Sequence, residues 1–135
     1  MTLPLALDTN VLVRLLVNDD PAQAEQAAEL IDSSPACFVP ITVALELEWV
    51  LRGAYKLPRE AVITAFEGLL ALRHLHLEQE DLVRRALEWH RQGLDFADAL
   101  HLSRCEGCEA LISFDRQLAL SVGQLNLQPT VRCPD

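Results

Sequence analysis

Aromatic side chains are scarce in this chain, 5% of 135 residues, so the core is expected to be aliphatic, built from Leu, Val, Ile and Ala. Long apolar runs are missing as well. No stretch approaches the roughly 18 residues that cross a bilayer, and no membrane association is expected. The N-terminal residues Met1 to Leu7 include no Lys or Arg. They do not read as a secretory signal, and a cytoplasmic location is expected. Repeats, low-complexity segments and linkers are absent too. The length fits about one domain, so residues 1–135 are expected to form a single domain. Half the residues are apolar and 23% are charged, which excludes a disordered tail, a collagenous repeat and a coiled coil.

Basic residues are few. Eleven Lys and Arg stand against twenty Asp and Glu, a net charge of −9. A protein that held nucleic acid by phosphate neutralisation alone would carry the opposite sign. Either the partners are not nucleic acid, or the acidity is concentrated in a metal site and the basic residues are clustered locally. Lys56 is the single lysine beside ten arginines, a residue suited to bidentate phosphate contact.

The four cysteines are Cys37, Cys105, Cys108 and Cys133. Without a secretory signal they are expected to be reduced. His101 and the pair Cys105 and Cys108 lack the second knuckle that a structural zinc site needs. They read as a helix end with Gly107 as its C-cap.

The apolar pattern alternates short strands with longer helices. Leu3 to Leu7 reads as a buried strand ended by Asp8. Asp20 and Pro21 cap and start a helix that runs to Asp32. Cys37 to Val39 is a strand, Ile41 to Tyr55 a helix, and Pro58 opens another helix reaching Leu72. Leu75 to Leu77 is a strand, and Glu78 to Gln92 a helix with three acids in its first turn. Asp95 starts a helix to Arg104. Ala110 to Ile112 is a strand, Asp115 opens a short helix, and Leu127 to Val131 is an edge strand with Pro129 inside it. Such alternation specifies an α/β three-layer domain with a mainly parallel sheet.

Ligands of open parallel sheets bind beyond the carboxyl ends of the strands, so acids that directly follow a strand are candidates. Asp8 follows the first strand, and Asp115 follows Leu111-Ile112-Ser113-Phe114. Each also suits a helix N-cap, and a capping carboxylate keeps an oxygen for a cation. Glu46 has no basic residue three or four positions away and lies on a helix that is apolar on most sides, so partial burial is expected. Glu48 has Arg52 at i+4 and reads as a solvated ion pair. Asp98 sits among Phe96, Ala97, Ala99 and Leu100, with Asp95 three residues before it as a cap. Several carboxylates in one pocket repel and stay ionised together only around a cation. Oxygen ligands without a Cys or His pattern select Mg²⁺ or Mn²⁺. Phosphodiester cleavage is the chemistry that most needs such a site.

These residues carry a resemblance. Leu5-Ala6-Leu7-Asp8-Thr9-Asn10-Val11-Leu12-Val13-Arg14 resembles the opening motif of PIN-domain nucleases. Ile41 to Leu51 resembles their second motif, with Glu46 at the acidic position. Leu94-Asp95-Phe96-Ala97-Asp98-Ala99-Leu100-His101-Leu102 resembles the third, with Asp98 as main acid and Asp95 as auxiliary. Leu111-Ile112-Ser113-Phe114-Asp115-Arg116 resembles the fourth, with Ser113 where Thr is commoner. The resemblance implies an α/β/α PIN-like domain with a mainly parallel five-stranded sheet. It implies that Asp8, Glu46, Asp98 and Asp115 are catalytic and hold Mg²⁺ or Mn²⁺, with Thr9, Asn10 and Ser113 in support. At this length the chain is similar to VapC toxins. That implies an endoribonuclease cutting RNA, a homodimer, and restraint by a VapB-like antitoxin whose basic segment suits an acidic groove.

Arg14 and Arg116 lie near enough in sequence to touch phosphate, and Trp49, Leu51, Tyr55 and Leu57 are candidates for an apolar partner groove. An alternative is a PIN-like domain that binds metal and a partner without turnover. A phosphatase of the haloacid dehalogenase type would need Asp at position 10, where this chain has Asn10. A receiver-type module would need a Lys near the C-terminus, and Lys56 does not serve.

Overall fold

The computed structural model describes residues 3–134. Among them are seven helices and five strands, and every strand pairing is parallel. The α/β class read from the sequence is therefore the observed one. The chain divides into two compact units, one ending at Glu80 and one beginning at Asp81.

In the first unit the strands are β1 (Leu5–Ala6), β2 (Cys37–Val39) and β3 (Leu75–Leu77), in the order β1-β2-β3. Cys37 pairs with both Leu5 and Leu75, so β2 is central. Cys37 and Val39 are fully enclosed, as are Leu75 and Leu77 of β3, while His76 between them faces out. This alternation is the period of a strand with one face on the core. The first strand departs from expectation. Leu3 is 80% exposed and Leu5 46%, and only Leu7 is buried. β1 is an edge of this sheet and pairs with β2 alone within it, so its apolar run does not mark a buried position.

Four helices belong to the same unit: α1 (Thr9–Leu16), α2 (Pro21–Ser33), α3 (Ile41–Gly53) and α4 (Arg59–Leu70). α1 packs on α2 and α3, and α4 on α3 and β3. The Asp20 carboxylate accepts from Gln23 N at 3.1 Å and Pro21 occupies the first turn of α2, the start signal seen in the sequence. α3 begins after Pro40 and has no capping side chain of its own. Its first amide, Ile41 N, donates instead to Glu78 Oε1 at 2.8 Å. Glu78 thus lies in the turn just after β3, held by Glu78 N donating to Val39 O. It is not part of the next helix, where the acid-rich pattern had put it. That helix, α5 (Glu80–Arg91), starts two residues later.

The second unit holds most of α5, then α6 (Phe96–Ser103), β4 (Ala110–Ile112), α7 (Arg116–Leu125) and β5 (Thr130–Arg132). β4 and β5 pair in parallel, Leu111 against Val131, and α7 makes the crossover that parallel neighbours require. Pro129 lies just before β5, not inside a strand. A strand-interior proline would remove a ladder donor, and here Ser113 N donates to Arg132 O to extend the ladder. Gly93, at φ 119°, ends α5. α6 stops at Ser103 with Arg104 as its C-cap, so Gly107 belongs to the following turn and not to the helix end.

The aliphatic core is real but incomplete as a description. Phe66 in the first unit and Phe96 in the second are fully buried, and Trp89 is 9% exposed. These three aromatics add large apolar area to the core, whereas Trp49 and Phe114 are exposed. Among the described residues no helix is long and apolar enough to cross a membrane.

Candidate functional site

The first unit places Asp8 and Glu46 at the carboxyl end of its parallel strands. Asp8 follows β1 after one residue and caps α1, its Oδ1 accepting from Thr9 N at 2.8 Å. Thr9 is buried, and its hydroxyl donates to Glu46 Oε1. Asp8 and Glu46, 38 positions apart in sequence, are thereby linked through one threonine. Asn10 is exposed in the first turn of α1.

The two glutamates of α3 exchange the environments expected of them. Glu46 is exposed, whereas Glu48 is 2% exposed. Glu48 Oε2 accepts from Arg52 Nε at 2.7 Å, and the arginine side chain is half exposed. The i+4 arginine is present as expected, yet it does not mark a solvated pair. The buried face of α3 is Ile41, Ala44, Leu47, Glu48 and Leu51, a helical stripe. Position 48 lies on it, one turn after Ala44, and position 46 lies off it. The arginine stem reaches from the rim and keeps its charged head on Glu48.

In the second unit, Asp95 caps α6 by accepting from Asp98 N at 3.2 Å. Asp98 occupies the first turn and is partly buried. Burial, then the charges of Asp95 and Asp115, push its carboxyl above the ordinary aspartate range, and His101 opposes them. Asp115 caps α7, its Oδ1 accepting from Leu118 N at 3.0 Å. Ser113 Oγ accepts from Asp115 N at 3.0 Å, so the hydroxyl that replaces the commoner threonine holds the backbone at Asp115. The same unit thus brings Asp95, Asp98 and Asp115 within electrostatic reach of one another.

Among the described residues, no three His, Cys, Asp or Glu side chains converge as a metal-holding group. The donor set nevertheless suits a hard divalent cation. It is carboxylate oxygen throughout, and the mutual repulsion around Asp98 is what such an ion relieves.

Other expected contributors fare differently. Arg14 is already engaged. Its Nε donates to Gln23 Oε1 at 2.6 Å, and its Nη1 donates to the Tyr55 hydroxyl at 3.3 Å and reaches Asp19 at 3.2 Å. The tyrosine hydrogen bond, against a desolvation that acts the other way, and the Asp19 charge hold the guanidinium above its ordinary pKa. Tyr55 in turn donates to Asp19 Oδ2 at 2.8 Å. No signal in the sequence linked positions 14, 19, 23 and 55. Arg116, the first residue of α7, is exposed. The residues suggested for an apolar groove do not share a face: Trp49 is 63% exposed while Leu51 is fully buried.

Comparison with known proteins bears on most of the chain. Among solved structures, one similar chain is VapC20 of Mycobacterium tuberculosis, described as a sarcin-ricin loop cleaving toxin. It shares 21% identity, with 87% of this chain and 94% of that chain covered and a TM-score of 0.44. No curated protein matches. The family model of the PIN domain matches residues 5–120, a span that takes in all four motif acids, and the seven helices and parallel strands agree with the α/β/α fold of that family. The chain belongs to the PIN domain family.

Proposed function

We propose that this protein is a metal-dependent endoribonuclease, the toxin of a toxin–antitoxin pair, and that Asp8, Glu46, Asp98 and Asp115 carry its chemistry. The observation that carries this reading is the PIN match over residues 5–120, a span that contains all four acids. Two local features support it: Asp8 and Glu46 share the Thr9 contact, and Asp98 feels the charges of Asp95 and Asp115.

The four carboxylates would hold Mg²⁺ or Mn²⁺, which when bound activates a water and offsets charge developing on the phosphate. The protein's own part is to aim the ligands. Thr9 donates to one Glu46 oxygen and leaves the other for the ion. Asp95 fixes the backbone at Asp98, and Ser113 fixes it at Asp115. Ligands positioned in this way by hydrogen-bonded neighbours bind and orient a metal better than free side chains. The net charge of −9 also favours a basic antitoxin segment as partner, since an arginine or lysine can stand where the cation would. A homodimer with such a VapB-like partner is the assembly expected.

The test is cleavage of a structured RNA by purified protein in Mg²⁺ or in EDTA, with Asp98→Ala as control. Cleavage that needs the metal and disappears in the variant supports the reading. Metal and antitoxin binding without any cleavage would favour the alternative of a binding domain without turnover. Cleavage that persists in EDTA would end the metal assignment.

A further inference from the structure

The turn that follows α6 carries Cys105 and Cys108. Cys108 N donates to Cys105 O at 2.9 Å. This is the bond that closes a β-turn, which brings its end Cα atoms within about 7 Å. Gly107, the third residue, has φ 89°, the sign that a type II turn requires there. A Cβ added at Gly107 would meet nothing within 4 Å, so the glycine serves the backbone and not the space. Disulfides span Cα separations of about 4.4–6.8 Å. The turn sets this pair at that scale before any oxidation.

The side chains agree with the backbone. Both cysteines are free thiols, and their side chains lie within interaction range of each other. Cys108 is exposed and Cys105 half-buried. Burial first, then the neighbouring Cys108, push the Cys105 thiol up. Glu106 of the turn meets Arg85 of α5 at 3.4 Å, which ties the loop to a helix. Cys108 also lines a cavity of about 420 Å³ together with Arg85, Trp89 and Gln128, room for a small reagent beside the exposed sulfur.

We propose that Cys105 and Cys108 form a redox modification site, a dithiol that closes into an intramolecular disulfide by exchange with a low-molecular-weight disulfide of the glutathione type. The Cys108 thiolate attacks one sulfur of the reagent, forms a mixed disulfide and releases one thiolate. Cys105 loses its proton to solvent, and its thiolate attacks Cys108 Sγ and expels the second thiolate. Two protein thiols are oxidised and one reagent disulfide is reduced to two thiols, which take up the protons. Cys108 is the entry sulfur because it is exposed, and Cys105 resolves because the turn holds it adjacent. Its raised pKa makes the second step slow near neutrality and faster in mild alkali.

The experiment titrates the folded chain with reduced and oxidised glutathione, traps free thiols by alkylation, and maps the tryptic peptide 105–116, which contains both cysteines. The peptide is expected two hydrogens lighter, and half-oxidised at a glutathione ratio at least about tenfold more reducing than the same peptide needs in isolation. Gly107→Ala should weaken this preference several-fold through the backbone alone. Cys105→Ser should leave glutathione trapped on Cys108. A folded chain that oxidises no more readily than the peptide would overturn the proposal. So would linkage to Cys37, Cys133 or a second chain, or a Gly107→Ala variant that matches wild type. If Cys105→Ser does not fold, the wild-type and Gly107→Ala titrations decide.

Discussion

The two units solve the problem of crowded carboxylates differently. In the first, a neutral donor stands between the acids: Thr9 gives its amide to Asp8 and its hydroxyl to Glu46. Both carboxylates stay exposed. In the second, Asp95 and Asp115 each give one oxygen to a helix amide, and Asp98 is left partly buried with their charges close by. The second holds unfavourable charge that a cation would relieve. Acids of one chemical type are therefore not equivalent, and Asp98 should be the most sensitive of the four to metal.

The largest effect expected is on turnover. Glu46→Gln should lower RNA cleavage by about 10³-fold, some 4 kcal/mol of transition-state stabilisation, while changing the melting temperature little, because Glu46 is exposed. Single-turnover cleavage rates beside thermal melts test this, and a large stability loss in Glu46→Gln would merge the two effects. Glu48→Ala is its counterpart on the same helix. It should cost about 2–3 kcal/mol of stability, by removing a buried, charge-paired side chain and leaving a hole. Urea unfolding measures it, and a cost under about 0.5 kcal/mol would place Glu48 at the surface after all.

Metal comes next. Mn²⁺ at a hundredfold excess over its dissociation constant should stabilise the fold by about 2.7 kcal/mol. Asp98→Asn should remove more of that gain than Thr9→Val does. Without metal, Asp98→Asn should melt no lower than wild type. A carboxyl whose folded pKa is raised loses folding stability as pH rises from the unfolded value of 3.8 through the folded one, so removing its charge at neutral pH is favourable. A variant clearly less stable than wild type in EDTA would show that the charge is not under strain. The smallest effect is Thr9→Val, which keeps the shape but leaves Glu46 unheld. It should cost about 1 kcal/mol and lower kcat more than it raises KM. An unchanged kcat would mean that Thr9 only fills space.

Much of the scaffold was legible before any coordinates. The strands Cys37–Val39, Leu75–Leu77 and Ala110–Ile112 appear at the bounds read from their apolar triplets. The capping aspartates at positions 20, 95 and 115 announce their helices. Such signals are local: a cap and the helix it starts lie within a few residues, and a short apolar run between turn residues has few other fates. The misreadings came from features that looked local and were not. The Arg52 four residues after Glu48 suggests a solvated pair, although the spacing Ala44, Leu47, Glu48, Leu51 traces the buried face.

What the amino-acid sequence determined alone is the family and most of the strands and helices, because these depend on residue type and spacing along the chain. Tertiary structure decided which acids are shielded and which are strained. Glu78 caps a helix 37 positions earlier, Thr9 binds a glutamate 37 positions later, and Arg14 is drawn into a network with Asp19 and Tyr55. A hydrogen bond depends on where two groups arrive in space. Chains that return from distant positions bring them there, and no window along the sequence spans that return.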